Sequence, residues 1–273
     1  MFQVNPSRSS SRTILGTFEL IYHSTVREIR KDHRNALVGL LLNMLQAMIF
    51  VASFYLMFLF LGIRGAALRG DFLLYIMSGI FPFLVHTKAM AAVVGSEGPA
   101  SPMMQHAPLN TLITIAAAAL GSLYIQVLSL FVLLFFYHAI VTPVVIDNPA
   151  GAMGMILASW FSGVGVGVIF LSLKPWFPGF VRIGSSIYSR VNMIASGKMF
   201  VASQLPAHML VLFDWNPLFH TIDQCRDDIF RDYTTHVSSA SYPVYVGCAL
   251  IVIGMMGQFY TRRAASLSWN AAR

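Results

Sequence analysis

Five cations stand within or beside apolar stretches of the sequence: Lys88, Lys174, Arg182, Arg190 and Lys198. A cationic side chain at a bilayer centre costs about 2.5–3.5 kcal/mol on insertion scales, so it marks an ion pair, a polar cavity or a path for an anion. Lys88 and Lys198 lie near the ends of their runs, where a long side chain snorkels to an interface. Arg190 lies inside the apolar run 183–201, and no apolar run contains an acidic residue to neutralise it. Backbone carbonyls, water or an anionic substrate remain to offset its charge. Ser185, Ser189, Asn192 and Ser196 recur at helical spacing and form one polar face. Arg190 is about 100° round from Ser189, at the edge of that stripe. With Tyr188 and Lys198 beside it, this set suits the passage of a polar, anionic molecule.

Covalent and metal chemistry has no comparable foothold. There is no GxxxxGK[ST], since Ser196-Gly197-Lys198 lacks the upstream glycine, and no HExxH, CxxC or GxSxG. Asp227 and Asp228 are helix neighbours that point to different faces. Gly163, Gly165 and Gly167 follow no soluble strand, so close helix packing explains them, as it does the small residues at 116–121. Cys225 and Cys248 lack metal-ligand spacing and read as buried free thiols. No catalytic residue, metal or directly bound cofactor is expected.

The elements that position these residues are membrane helices. The chain is 56% hydrophobic and 11% charged, against about 25% charged residues in soluble domains. The net charge of +7 gathers at the edges of apolar runs rather than in a patch for nucleic acid. Residues 1–11 are polar with no adjoining apolar core, unlike a cleaved signal peptide. Over 12–34, Ile14, Leu15, Phe18, Ile21, Tyr22, Val26 and Ile29 share one helical arc opposite Arg27, Arg30, Lys31 and Arg34. This pattern predicts an amphipathic helix in the interface of an anionic leaflet, its basic face meeting lipid or other anionic headgroups.

Six apolar runs follow, at 36–63, 72–94, 111–141, 152–173, 183–201 and 244–260. The expected fold is therefore an all-α polytopic membrane protein, a single domain over 1–273 with six transmembrane helices. Lys and Arg gather before the first run and after the last, which predicts cytosolic termini. Between the fifth and sixth runs, 205–233 breaks into two short helical halves at Trp215-Asn216-Pro217. Asn216 suits an N-cap and Pro217 the first helical position. Leu218, Ile222, Cys225 and Ile229 share a stripe, with Asp223, Asp227, Asp228, Arg231 and Asp232 on the polar side. A re-entrant hairpin on the extracytosolic side accounts for this pattern.

This last stretch carries a family resemblance. Leu205-Pro206, then Trp215-Asn216-Pro217-Leu218 with His220, then Arg226 and Tyr233 resemble the end of the permease subunits of ABC-2 type transporters. The stretch is most similar to the branch exporting capsular polysaccharide, and the likeness covers nearly the whole chain in the order of its segments. It implies a multi-pass protein of a bacterial inner membrane that dimerises with a second copy and pairs with two ABC ATPase subunits. ATP and Mg would be bound on those partners. It implies export of a lipid-linked polysaccharide, and contact with periplasmic or outer-membrane export proteins. It would place a helix that couples to the ATPase at 96–110, with Glu97, Met103, Met104 and Gln105 in contact. O-antigen or teichoic acid export is the near alternative. A membrane-embedded lipid-modifying enzyme, or a purely structural subunit, is the alternative of a different class.

Overall fold

The computed structural model describes residues 10–31, 36–62, 71–96 and 111–271. Among these residues the chain contains helices and no strand. The order is α1 (Ser10–Lys31), α2 (Ala36–Phe60), α3 (Phe72–Gly95), α4 (Thr111–Ile140), α5 (Pro149–Leu173), α6 (Pro178–Ala195), a 3-10 turn (Ala202–Gln204), α7 (Ala207–Phe213), α8 (Pro217–Ile229) and α9 (Tyr242–Ala271). Five of the described helices are long and apolar enough to cross a membrane: α2, α3, α4, α5 and the Tyr242–Thr261 part of α9. The protein is a multi-pass membrane protein.

Helix α3 is the centre, buried along nearly its whole length. It runs parallel to α5, and α5 runs parallel to α9. Gly163 and Gly167 of α5 face α3: a Cβ on the first would strike the His86 backbone, and on the second would come 2.8 Å from the Val93 Cβ. Gly165 faces α9, where Gly247 and Gly254 return the close approach. The expected small-residue packing therefore joins three helices, not two. Helices α2 and α4 run the other way. Lys88 Nζ donates to Gln46 Oε1 at 2.7 Å toward one end of the bundle, and Phe72 packs on Tyr55 and Phe58 toward the other. At that second end Asp71 caps α3, accepting from Leu73 N at 3.0 Å, Thr142 Oγ1 at 2.7 Å and Tyr137 Oη. Partial burial alone would raise its pKa, but these hydrogen bonds outweigh it and hold the carboxyl below its ordinary value.

Parallel α5 and α9 require a return between them, and α6 makes it. The apolar run 183–201 does not form one helix as expected. Helix α6 starts earlier, at Pro178, and stops at Ala195. Gly197 then takes a left-handed conformation, φ 74°, which glycine adopts without steric cost, and the chain turns away. Ser196 and Lys198 therefore lie in a turn beyond the helix. Helix α6 has 18 residues and is not among the five span candidates, because Arg182, Arg190 and Asn192 lower its hydropathy.

Helix α1 lies along α4, with Ile29 and Thr25 packed where Gly121 leaves room. Phe18 and Tyr22 are exposed, as are Arg27 and Arg30. The Lys31 side chain and Arg34 lie outside the described residues, as do Glu97, Met103, Met104 and Gln105. The break at 214–216 separates α7 from α8 where the sequence suggested. Asn216 caps α8 by accepting from Leu218 N at 3.0 Å, with Pro217 in the first turn. The stripe Leu218, Ile222, Cys225 and Ile229 is buried against α3 and α5. Cys248, expected to be buried like Cys225, is exposed instead: it lies on the outward surface of α9, which is apolar because it faces lipid.

Candidate functional site

The polar face of α6 divides into two halves. Near the start of the helix, Ser185 and Ser189 open onto a cavity of about 740 Å³. Its other walls are the last turns of α3, at Met90, Ala91, Val94 and Gly95, and the turn between α5 and α6. That turn brings in Lys174, and the first turns of α6 add Pro178, Gly179, Val181 and Arg182. Lys174 Nζ donates to the Val94 carbonyl at 2.8 Å. Ser189 Oγ donates to the Ser185 carbonyl at 3.1 Å.

On its other flank and toward the helix end, the face is closed. Tyr188 reaches His86, a side chain with no exposed surface at the junction of α3 and α5. His86 Nδ1 lies 3.1 Å from the Ser159 carbonyl, which only accepts, so this nitrogen carries the hydrogen. In the neutral ring Nε2 then accepts from Tyr188 Oη at 2.9 Å. Asn192 Oδ1 accepts from Asn216 Nδ2 at 2.9 Å, and the same amide donates to the Ala195 carbonyl at 3.0 Å. Ser196 is fully buried. The α8 cap is thus also the seal on the end of α6.

Lys198 does not snorkel outward. It is 3% exposed, and its ammonium lies 3.7 Å from the centre of the Phe83 ring and 4.6 Å from those of Phe50 and Phe54. Three aromatic faces stand in for the missing counter-ion. Arg190 is exposed, on the side of α6 that carries Ile183, Ile187, Val191 and Ile194 and away from the cavity. The sequence placed it at the edge of the polar stripe, and the fold turns it outward in a single chain.

Arg226 is the residue whose role sequence reading misses. It is 1% exposed. Its Nη1 donates to the carbonyls of Gly197 (3.0 Å) and Phe200 (2.6 Å), and Nη2 donates to that of Lys198 (2.7 Å). The guanidinium also lies 4.5 Å from the centre of the Tyr75 ring. The turn after α6 is therefore wrapped round a cation supplied by α8. Only a short helix rich in acid groups surrounds Arg226 in the sequence, so nothing there points to carbonyls 26–29 positions earlier. His86 is similar: its one sequence signal is a lone histidine in an apolar run.

The remainder of the hairpin is held by polar side chains. Asp223, expected on a solvated side, is buried and accepts from Tyr233 Oη, Thr235 Oγ1 and Ser238 Oγ. Burial, and then the neighbouring Asp223 carboxylate, push the Tyr233 phenol well above its ordinary value. His220 is buried: Nε2 donates to the Asp214 carbonyl at 2.6 Å and Nδ1 accepts from Ser239 N at 3.0 Å. Trp215 is exposed, and no α7 residue is buried. Among the described residues, no three His, Cys, Asp or Glu side chains gather as a metal site would need.

No family model matches the chain. Two Escherichia coli proteins, each described as the polysialic acid transport protein KpsM, align with it at 23% identity over 202 residues. The alignment spans 72% of this chain and 76% of each relative. The similarity is distant, and it points toward polysaccharide transport.

Proposed function

We propose that the chain is the permease subunit of an ATP-driven ABC exporter of the ABC-2 type, carrying a lipid-linked capsular polysaccharide across a bacterial inner membrane. The distant similarity to a polysialic acid transport protein carries this reading. A bundle threaded by one hydroxyl-bearing return helix supports it. In this reading α6 is a sixth crossing, both termini are cytosolic, and the α7–α8 hairpin lies on the far side as a re-entrant element. Two copies and two ATPase subunits form the transporter, and ATP with Mg is bound on the ATPases. Residues 96–110 couple to them through Glu97, Met103, Met104 and Gln105. Periplasmic or outer-membrane export partners follow from the same reading.

The substrate passes along Ser185, Tyr188, Ser189, Asn192, Ser196 and Lys198 once the closed half of α6 opens. Arg190 meets the substrate at the junction of two copies, where its exposed side would be covered. The basic face of α1, with Arg27, Arg30, Lys31 and Arg34, collects the anionic lipid end of the substrate. Trp215, Asn216, Pro217, His220 and Arg226 shape the exit. O-antigen or teichoic acid as cargo is the neighbouring reading, and a lipid-modifying enzyme the distant one.

The test is co-expression with an ABC ATPase subunit from the same source. The proposal expects a stable complex whose ATP hydrolysis rises with a lipid-linked glycan, and export that falls in Arg190→Leu while assembly persists. A chain that binds no ATPase sinks it.

A further inference from the structure

We infer that the cavity between the last turns of α3 and the start of α6 is a binding site for a lipid-borne phosphate group, with Lys174 and Arg182 as its cationic ligands. The inference rests on the export reading and names the chemical group at its entry point.

Charge is the first argument. Among the described residues the lining contains two cations and no acidic residue. Lys174 Nζ spends one of its three donors on the Val94 carbonyl, which aims the ammonium and leaves two. Arg182 is exposed and makes no described ion pair. Ser185, Ser186 and Ser189 add hydroxyls from the next turns; those of Ser185 and Ser189 donate to carbonyls of their own helix and reach a ligand by exchanging that bond. Guanidinium, ammonium and hydroxyl donors converging on one space are the chemistry that recognises phosphate oxygens. The cavity also meets the start of α6, where Phe177 provides no side-chain cap. Gly179 lines the cavity, and a Cβ there would touch nothing, so backbone N–H groups at the positive end of the helix are approachable.

Depth is the second argument, and it favours a lipid over a dissolved anion. Trp176, Phe177 and Phe180 flank the same turn and are 49%, 62% and 62% exposed. Trp176 stacks on Tyr260 of α9, and this Trp–Tyr pair beside two cations marks the level of the membrane–water boundary. The opposite wall is apolar, with Met90, Val94 and Val181, and accepts the first part of a hydrocarbon chain. The volume of about 740 Å³ lies inside the ~300–1,000 Å³ range of ligand pockets.

The test uses the full-length chain, purified in uncharged detergent without ATP or partner. Three probes are titrated: dioctanoyl phosphatidic acid, dioctanoylglycerol with the same tails and no phosphate, and inorganic phosphate. The proposal expects saturable binding of the phosphatidic acid, read by Trp fluorescence or calorimetry, and at least roughly tenfold weaker binding of the diacylglycerol. The double variant Lys174→Gln, Arg182→Gln should lose the phosphate preference, and Arg182→Lys should keep most of it. Ser186→Trp, which fills the cavity and leaves its charges in place, should also lose binding. Arg231→Gln, which removes an exposed cation of the hairpin that lines a different cavity, should bind as before. Unchanged binding in the double variant overturns the site. Equal weakening by Arg231→Gln overturns it too, because adhesion would then be general electrostatics. Competition by millimolar inorganic phosphate as strong as that of the lipid overturns the lipid assignment. Binding that persists in a chain that recruits no ATPase keeps the site and removes the export reading, so the two fail separately.

Discussion

The open and closed parts of the α6 polar face carry uncharged polar side chains at helical spacing and do opposite things. In the first half Ser185 and Ser189 face an open cavity, where their hydroxyls turn back on their own helix and the rim is cationic. In the closed part Tyr188, on the flank beside Ser189, and Asn192 are engaged by His86 and Asn216, and Ser196, just past the helix end, is sealed under the hairpin. A polar stripe on a membrane helix therefore does not by itself mean a water-filled path. What packs on it decides whether a hydroxyl is available to a substrate or is consumed in holding the fold. The first half is built to receive, and the second to be released. Its fastenings are a few directional hydrogen bonds on a helix otherwise sparsely packed against α3 and α5.

Substitutions at the closed end should therefore cost stability, and those at the open end should not. The largest effect is expected for Arg226→Met, which strands the buried carbonyls of Gly197 and Lys198 and the partly buried one of Phe200, at about 1–3 kcal/mol each. The purified chain should show a large drop in unfolding midpoint or fail to accumulate. Arg226→Lys should not rescue it, because a point charge lacks the planar fork that spans three acceptors. Normal stability of Arg226→Met would mean that the turn after α6 is held by something else.

Next comes Asn216→Ala, which removes the α8 cap and both bonds to the end of α6, at about 2 kcal/mol. Faster amide exchange should appear at the start of α8 and the last turn of α6 together. Acceleration in α8 alone would separate the cap from the seal.

Tyr188→Phe should cost about 1 kcal/mol by deleting the hydroxyl that meets His86. It should loosen the middle of α6 without changing the hairpin, again read by exchange. Ser189→Ala should be smallest, within ~0.5 kcal/mol, because its hydroxyl binds only its own helix. A destabilisation as large as that of Asn216→Ala would erase the difference between the two halves.

The sequence by itself determined the class of structure. Uninterrupted apolar length forces helices in a membrane, because only a helix satisfies its backbone within one segment. The amphipathic first helix, the break at Asn216-Pro217 and the apolar stripe of α8 were legible for the same reason: capping and periodicity are local properties of neighbouring residues. The polar spacing on α6 was legible too, but not its division, which depends on the hairpin folding back onto one end and the α5–α6 turn leaving the other open. Periodicity gives a face its composition and not its neighbour. The same limit hid the partners of buried charge. Lys198 among three rings and Arg226 among three carbonyls lie beside groups distant in sequence, and only the tertiary packing of α2, α3 and α8 brings them within reach.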